Sequence, residues 1–186
     1  MPAIPELNAP LTDGRVSLRL SAERDIPEIL IAYQDDPELH LRMGIEKPPS
    51  GAQLGRRAEE ASGGRAAGTH VTFTIVEPAS DVCRGQIDVH NTDWEHQRAE
   101  LGIWLAPQVR GRGWAPAALT LACRWLFEAC GFERLEVLTE PDNEPMIRTA
   151  RRAGFVEEGI LRGYLRERGT RVDTTIMSLL PGDIRS

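Results

Sequence analysis

The chain has 186 residues and a formal net charge of −6, from 28 acidic against 22 basic side chains. With 41% hydrophobic and 27% charged residues, it has the makeup of a folded soluble domain and lacks that of a disordered chain. The negative total gives no general attraction for nucleic acid or an anionic membrane.

No stretch reaches 18 apolar residues, which argues against a membrane span, and the first residues lack the basic-then-apolar order of a signal peptide. Cys83, Cys123 and Cys130 are odd in number and have neither CxxC nor Cys/His ligand spacing. They predict no disulfide framework and no metal site, and so a reduced, cytoplasmic protein.

In chain order, Val16 to Leu20 reads as a short strand. Ser21 is placed to cap a helix from about Ala22 to Tyr33, with Asp25 early in it. Residues 46–68 are rich in Gly, Ala and Arg and predict one polar helix between loops, in the segment expected to be most mobile. Val71 to Val76 is β-branched and predicts a strand. Cys83 to Val89 and Ala99 to Leu105 follow as strands, joined by the polar, hairpin-like segment His90 to Arg98.

From Ala115 to Ala129 the period changes. Ala118, Leu121, Ala122, Trp125, Leu126 and Ala129 recur at helical spacing, and Gly131 is placed as the C′ residue. Leu135 to Thr139 is a strand, Glu144 to Arg152 a helix ending at Gly154, and the chain from Phe155 is extended again, closing with Thr174 to Leu180. No repeat or linker divides the chain, so residues 1–186 read as one domain with a core of about 14–180. The order predicts an α/β (α+β) mixed sheet with helices on both faces.

The chemistry concentrates in Leu101 to Ala115, LGIWLAPQVRGRGWA. A strand leads through a two-glycine loop straight into an amphipathic helix. Gly111 and Gly113 let backbone approach an anion, the first-turn N–H groups favour phosphate, and Arg110 and Arg112 add charge at the rim. A tight turn before a helix would look similar. A dinucleotide fingerprint needs a third glycine where Pro116 stands, and a Walker loop needs GxxxxGK, which is absent.

The pattern that fits is Q/R-x-x-G-x-G/A, met by Gln108, Gly111 and Gly113, which resembles the coenzyme A pyrophosphate signature of the GNAT acetyltransferase superfamily. ERLEVLTEPDNEPMIRTARRAGFVEEG (133–159) looks like that family's next strand, asparagine-led helix and glycine-phenylalanine turn, with Asn143, Gly154 and Phe155 in the matching places. Residues 160–180 resemble the closing hairpin of the ribosomal-protein N-terminal acetyltransferase (RimJ/RimL-type) branch.

The resemblance implies a mostly antiparallel sheet of six to seven strands, with two central strands splayed apart. It implies acetyl-CoA as co-substrate, no metal, and an amine acceptor that is a peptide N-terminus or a small molecule, in a monomer or homodimer. Main-chain groups of Ile103, Trp104 and Leu105 would meet pantetheine, and a backbone donor near Ile103 would polarise the thioester carbonyl. The loop from Val109 through Trp114 to Ala115 would hold the pyrophosphate. Asn143 would lie beside the pantetheine arm, and Arg148, with Arg151 and Arg152, near the 3′-phosphate unless these are a solvated basic face.

Glu100 is the candidate base, its pKa expected to rise through shielding by neighbours such as Trp104; an ordinary solvent-facing strand glutamate is the alternative. His90, Asp93, Glu95 and His96 form a second cluster that could relay a proton through water or simply be solvated. Ala150 and Met146 stand where many members carry an acid Tyr or Ser. Tyr164 is the substitute acid or a surface packing residue, and a thiol pKa of about 8.5 lets coenzyme A leave without one. Arg162, Arg166, Arg168 and Arg171 either line a site for an acidic acceptor or decorate the hairpin. Asp173 matches an acidic position in the branch's closing strand, where it would bind an amine or buttress that hairpin. Trp94, Trp104 and Trp125 read as core or rim aromatics. The missing acids keep open a non-catalytic acyl-CoA-binding module.

Overall fold

The computed structural model describes residues 3–167 and 169–184; Arg168 of the basic end lies outside them. Strand β1 (Leu11–Thr12) turns into β2 (Ser17–Leu20). A 3-10 turn at Glu23–Asp25 leads into α1 (Ile26–Asp35), followed by the one-turn α2 (Leu39–Arg42) and the long α3 (Gly51–Ala66). Strands β3 (Val71–Val76), β4 (Cys83–Asp93) and β5 (Arg98–Leu105) run next, then α4 (Trp114–Cys130). The chain closes with β6 (Arg134–Thr139), α5 (Glu144–Arg152), β7 (Val156–Glu167) and β8 (Thr170–Leu179).

Ser21 does not cap the first helix as expected. The N-cap position falls on the extended residue Ala22, whose N–H donates to the Asp25 carboxylate at 3.0 Å, while the Ser21 hydroxyl accepts from Gln86 at 2.9 Å. Helix α3 falls within the polar segment 46–68. It is closed by a reciprocal cap that the composition did not reveal: Ser50 Oγ accepts from the Gln53 N–H, and Gln53 Oε1 from the Ser50 N–H. Gly131 ends α4 at φ 73°, as its C′ position requires.

Among the described residues the sheet has eight strands, in the order β1-β2-β3-β4-β5-β6-β8-β7, and is antiparallel except between β5 and β6. The expected six to seven strands fall short because the two-residue β1 carries no pattern to read. Alternation along the strands divides the interior. Val71, Phe73, Ile75, Ile87, Val89, Leu101 and Val137 pack with Ala118, Leu119, Ala122 and Leu126 of α4 and Ile147 and Ala150 of α5. On the opposite face Trp104 and Cys83 meet Ile29, Tyr33, Leu39 and Leu54 of α1, α2 and α3. Helices thus cover both faces, as the element order implies.

The feature that positions the site is the junction of β5 and β6. They pair in parallel only from Arg98 to Glu100, against Arg134 to Glu136. Beyond Glu100, β5 stays paired to β4 as far as Leu105, and β6 stays paired to β8 through Thr139. The two strands separate from each other while each keeps its outer neighbour. Main chain on the two inner edges therefore faces a gap.

Candidate active site

The gap opens into a cleft of about 850 Å³, walled by β5, the end of β6, the start of α5 and the α2 segment. Unpaired strand edges buried in a cleft call for a partner that can hydrogen-bond like another strand. Ile103, Trp104 and Leu105 lie along one side and Val137, Leu138 and Thr139 along the other.

At the far end of β5 the chain makes a 3-10 turn (Pro107–Val109) and reaches the two glycines. Gly111 has φ 74° and Gly113 φ 78°, both left-handed, and a Cβ at either would meet nothing within 4 Å. Glycine is required here by backbone direction and not by crowding. Gly113 stands directly before Trp114, the first residue of the 17-residue α4, so that helix presents its unpaired N–H groups at the cleft end. Val109 is buried in the main core, which pins the loop. A polar, linear ligand ending in phosphate fits this combination of free strand edges and anion-binding helix terminus, as coenzyme A does.

The two rim arginines differ. Arg110 donates from Nε to the Leu105 carbonyl at 2.9 Å and pairs with Asp36 at 2.6 Å. Asp36 also receives Arg42, and these guanidinium groups outweigh the raising effect of burial and hold its carboxyl below the usual value. Gln108 bonds to Asp35. Arg110 and Gln108 thus tie the loop to the end of α1, and the formal charge that Arg110 brings to the rim is shared with Asp36. Arg112 is exposed and has no ion pair among the described residues. Arg148 pairs with Glu144 at 3.3 Å and lies off the cleft wall.

Asn143 faces the cleft and caps α5, its Oδ1 accepting from the Met146 N–H at 3.3 Å. That leaves its amide NH2 directed elsewhere. Ala150 is buried without exposure, and Met146 lines the cleft. Tyr164 is 52% exposed on β7 and takes no part in the cleft wall, where its neighbour Leu165 does.

The cluster expected between His90 and His96 is split by the strand itself. His90 stands on β4 opposite Glu100 of β5, with Nε2 at 3.3 Å from Oε1. Asp93 and His96 bond to each other in the hairpin beyond, joined by Arg98. Asn91, at φ 50° in the irregular step of β4, donates to the other Glu100 oxygen at 2.9 Å. Burial acts to raise the Glu100 carboxyl, but the bonds from His90 and Asn91 outweigh it and hold it below its ordinary value. The expected upward shift of Glu100 is therefore corrected. The shift toward neutrality falls on His90, raised first by its bond to Glu100 and opposed by burial. Trp104 packs away from the carboxylate against Tyr33, ring centroids 6.4 Å apart.

Residues that sequence reasoning passed over are Asp88 and Gly102, which face each other across β4 and β5, and Leu39, Arg42, Met43, Gly44 and Ile45 of α2 and the turn after it. Asp88 was legible as the middle of an alternating strand; the α2 wall had no pattern to betray it.

The profile of the acetyltransferase (GNAT) domain family matches residues 15–156. The chain belongs to the GNAT acetyltransferase family. An uncharacterized N-acetyltransferase, p20 of Bacillus licheniformis, is 28% identical over 166 residues, 89% of this chain and 93% of its own. Spermidine N(1)-acetyltransferase of Escherichia coli is 31% identical over 77 residues, 41% of each chain. The structure of Mycobacterium smegmatis RimJ in complex with CoA-disulfide superposes with a TM-score of 0.84 at 24% identity, over 96% of this chain and 88% of that one. That likeness is one of fold. No helix among the described residues is long and apolar enough to cross a membrane.

Proposed function

We propose that this GNAT protein transfers the acetyl group of acetyl-CoA to a primary amine, both substrates being bound together. The observation that carries the reading is the separation of β5 from β6 beside the left-handed Gly111–Gly113 loop at the head of α4.

When bound, acetyl-CoA supplies a thioester, the activated acyl group. The chain's part is binding, orientation and proton handling. Main-chain groups of Ile103, Trp104 and Leu105 hold the pantetheine arm, and a backbone N–H near Ile103 is aimed where carbonyl charge develops. Backbone N–H groups from Gly111 to Ala115 hold the pyrophosphate, those of Val109 and Arg110 being already bonded to the Ala106 and Pro107 carbonyls, with Arg112 as the cation. The NH2 of Asn143 reaches the arm from the opposite wall.

An ammonium must lose its proton before the nitrogen can attack. The proton comes to rest on His90, where the Glu100 carboxylate holds it as an ion pair. A raised imidazole pKa suits that exchange near neutral pH. Glu100 remains ionised and acts by orienting His90 and stabilising the imidazolium that forms when His90 takes the proton. Neither Ala150 nor Met146 can donate a proton to the leaving thiolate, and Tyr164 is outside the cleft wall; near a pKa of about 8.5 the thiolate departs unaided.

Three free cysteines support a reducing, cytoplasmic setting; burial pushes the Cys83 and Cys130 thiols up to about 12 and raises Cys123 too. Both acceptor classes, a peptide N-terminus and a small amine, have a relative or fold neighbour behind them. Ala150, Met146 and the outward Tyr164 give a second reading, a module that binds acyl-CoA without turning it over.

Calorimetric titration with acetyl-CoA, with NAD and ATP as controls, tests the first step. Selective one-site binding followed by thiol release with an amine panel supports the transferase. Binding without release over the panel supports the second reading, and no binding removes both.

A further inference from the structure

The side of the cleft away from the glycine loop is defined by what is missing from it. On β4 and β5, Asp88 stands opposite Gly102 and His90 opposite Glu100, all on one face of the sheet. A Cβ at Gly102 would meet nothing nearer than His90 Cε1, at 4.0 Å. Gly102 does not have the left-handed backbone of Gly111 and Gly113, so the strand does not need a glycine there. Its effect is to leave the floor of the cleft open beside the His90–Glu100 pair.

Asp88 borders the same opening. One carboxylate oxygen accepts from Thr72 Oγ1 at 2.6 Å. The other has no hydrogen bond, and Asp88 no ion pair, among the described residues. Of the other carboxylates lining the cleft, Glu140 has an interaction of its own, and Asp36 is already met by Arg42 and Arg110. Glu100 is answered by His90 and Asn91. Asp88 is therefore the carboxylate left to receive a cation.

We propose that the space over Gly102 is the acceptor subsite and that Asp88 determines its specificity, binding the second ammonium of a short-chain diamine whose reacting nitrogen lies at the His90–Glu100 pair. The inference rests on the transferase reading and narrows its acceptor. Asp88 and His90 are two residues apart on one strand, a separation of roughly 7 Å, which matches the span between the nitrogens of such a diamine. A monoamine of equal length gains nothing from Asp88, and an acidic acceptor is repelled by it.

The test is calorimetric, on protein saturated with coenzyme A and titrated with putrescine or with n-butylamine as the matched monoamine. Putrescine should bind at least about tenfold tighter, the worth of one charge-assisted contact. Asp88→Asn should bring putrescine down to the n-butylamine affinity without altering coenzyme A binding. Gly102→Val should abolish binding of both amines, again with coenzyme A retained, and Gly102→Ala should weaken both less. Equal affinities in the unaltered protein, or a putrescine affinity unmoved in Asp88→Asn, overturns the proposal. Failure of coenzyme A to bind would sink the transferase reading instead, and the same amine titrations on the free protein would still decide the role of Asp88.

Discussion

His90 and Glu100 meet across β4 and β5 with Nε2 and Oε1 3.3 Å apart, and each shifts the other's titration in the opposite direction. His90 is raised above 6.5 and Glu100 lowered below 4.5. The ion pair is therefore complete between those limits. It is lost as pH rises through the His90 value, and again as pH falls through that of Glu100. Only neutral His90 accepts a proton from the acceptor, so the rate should climb with pH on a limb centred above 6.5. Glu100→Gln should lower turnover and move that limb to lower pH, with acetyl-CoA affinity unchanged. His90→Ala should remove the limb. A pH–rate profile that is the same in both variants and the parent would take the pair out of the mechanism.

Gly111 should tolerate no side chain without cost to the cofactor. Its φ of 74° lies where an L-residue is strained, by about 1–2 kcal/mol. The space around it is open, so the variant chain folds and relieves the strain by turning the loop. Gly111→Val should then weaken acetyl-CoA binding by tenfold or more, with the circular dichroism spectrum preserved. Unchanged affinity would mean that the phosphates do not lie at this loop.

The sequence discloses the elements that are long and strongly patterned and conceals those that depend on register. Val71–Val76 and Glu144–Arg152 are recovered at their exact bounds, because β-branched runs and a capped helix carry local signals. Leu11–Thr12 and Leu39–Arg42 are too short for any period to show. The glycine loop is legible because its residue types are demanded by local backbone geometry. The pairing of His90 with Glu100 is not, since it depends on β4 running four residues past Val89 and on its alignment with β5. For the same reason the direction of the Glu100 shift is hidden: burial can be guessed from the residues around a carboxylate in sequence, whereas its hydrogen-bond donors cannot.

Arg110 and Arg112, two residues apart, should respond differently to removal. Arg110 is bound to Asp36 and to the Leu105 carbonyl, so Arg110→Ala loosens the junction between β5 and the loop. Acetyl-CoA affinity and melting temperature should fall together, while the salt dependence of binding stays near that of the parent. Arg112 is exposed and without an ion pair among the described residues, so Arg112→Ala should leave melting unchanged and reduce the steepness with which affinity falls on adding salt. If the salt dependence follows Arg110 instead, its pair with Asp36 opens when the cofactor binds.

Stability away from the cleft should depend most on Asp25, a carboxylate only 2% exposed. It takes Arg19 at 2.6 and 2.9 Å, the Thr74 hydroxyl at 2.7 Å and the Ala22 N–H at 3.0 Å. This network fastens the start of the first helical segment to β2 and β3. Burial acts to raise the Asp25 carboxyl, but the Arg19, Thr74 and Ala22 bonds overcome it and leave the pKa below 3.8. A depressed carboxyl stabilises the fold above its unfolded value, and that contribution is lost as pH falls below 3.8 through the folded one. Asp25→Ala leaves the largely buried Arg19 guanidinium with Asp81 as its one remaining ion-pair partner among the described residues, at a cost of about 3 kcal/mol, the low end for a broken buried pair. For a chain of this length that lowers the melting temperature by roughly 10 °C. The acid-side fall in stability should flatten as well, because the titrating group is gone. Thermal melts of parent and variant from neutral to acidic pH check both effects; a variant that melts within a degree or two of the parent would show that Arg19 finds its compensation in Asp81, 2.7 Å away on the other side.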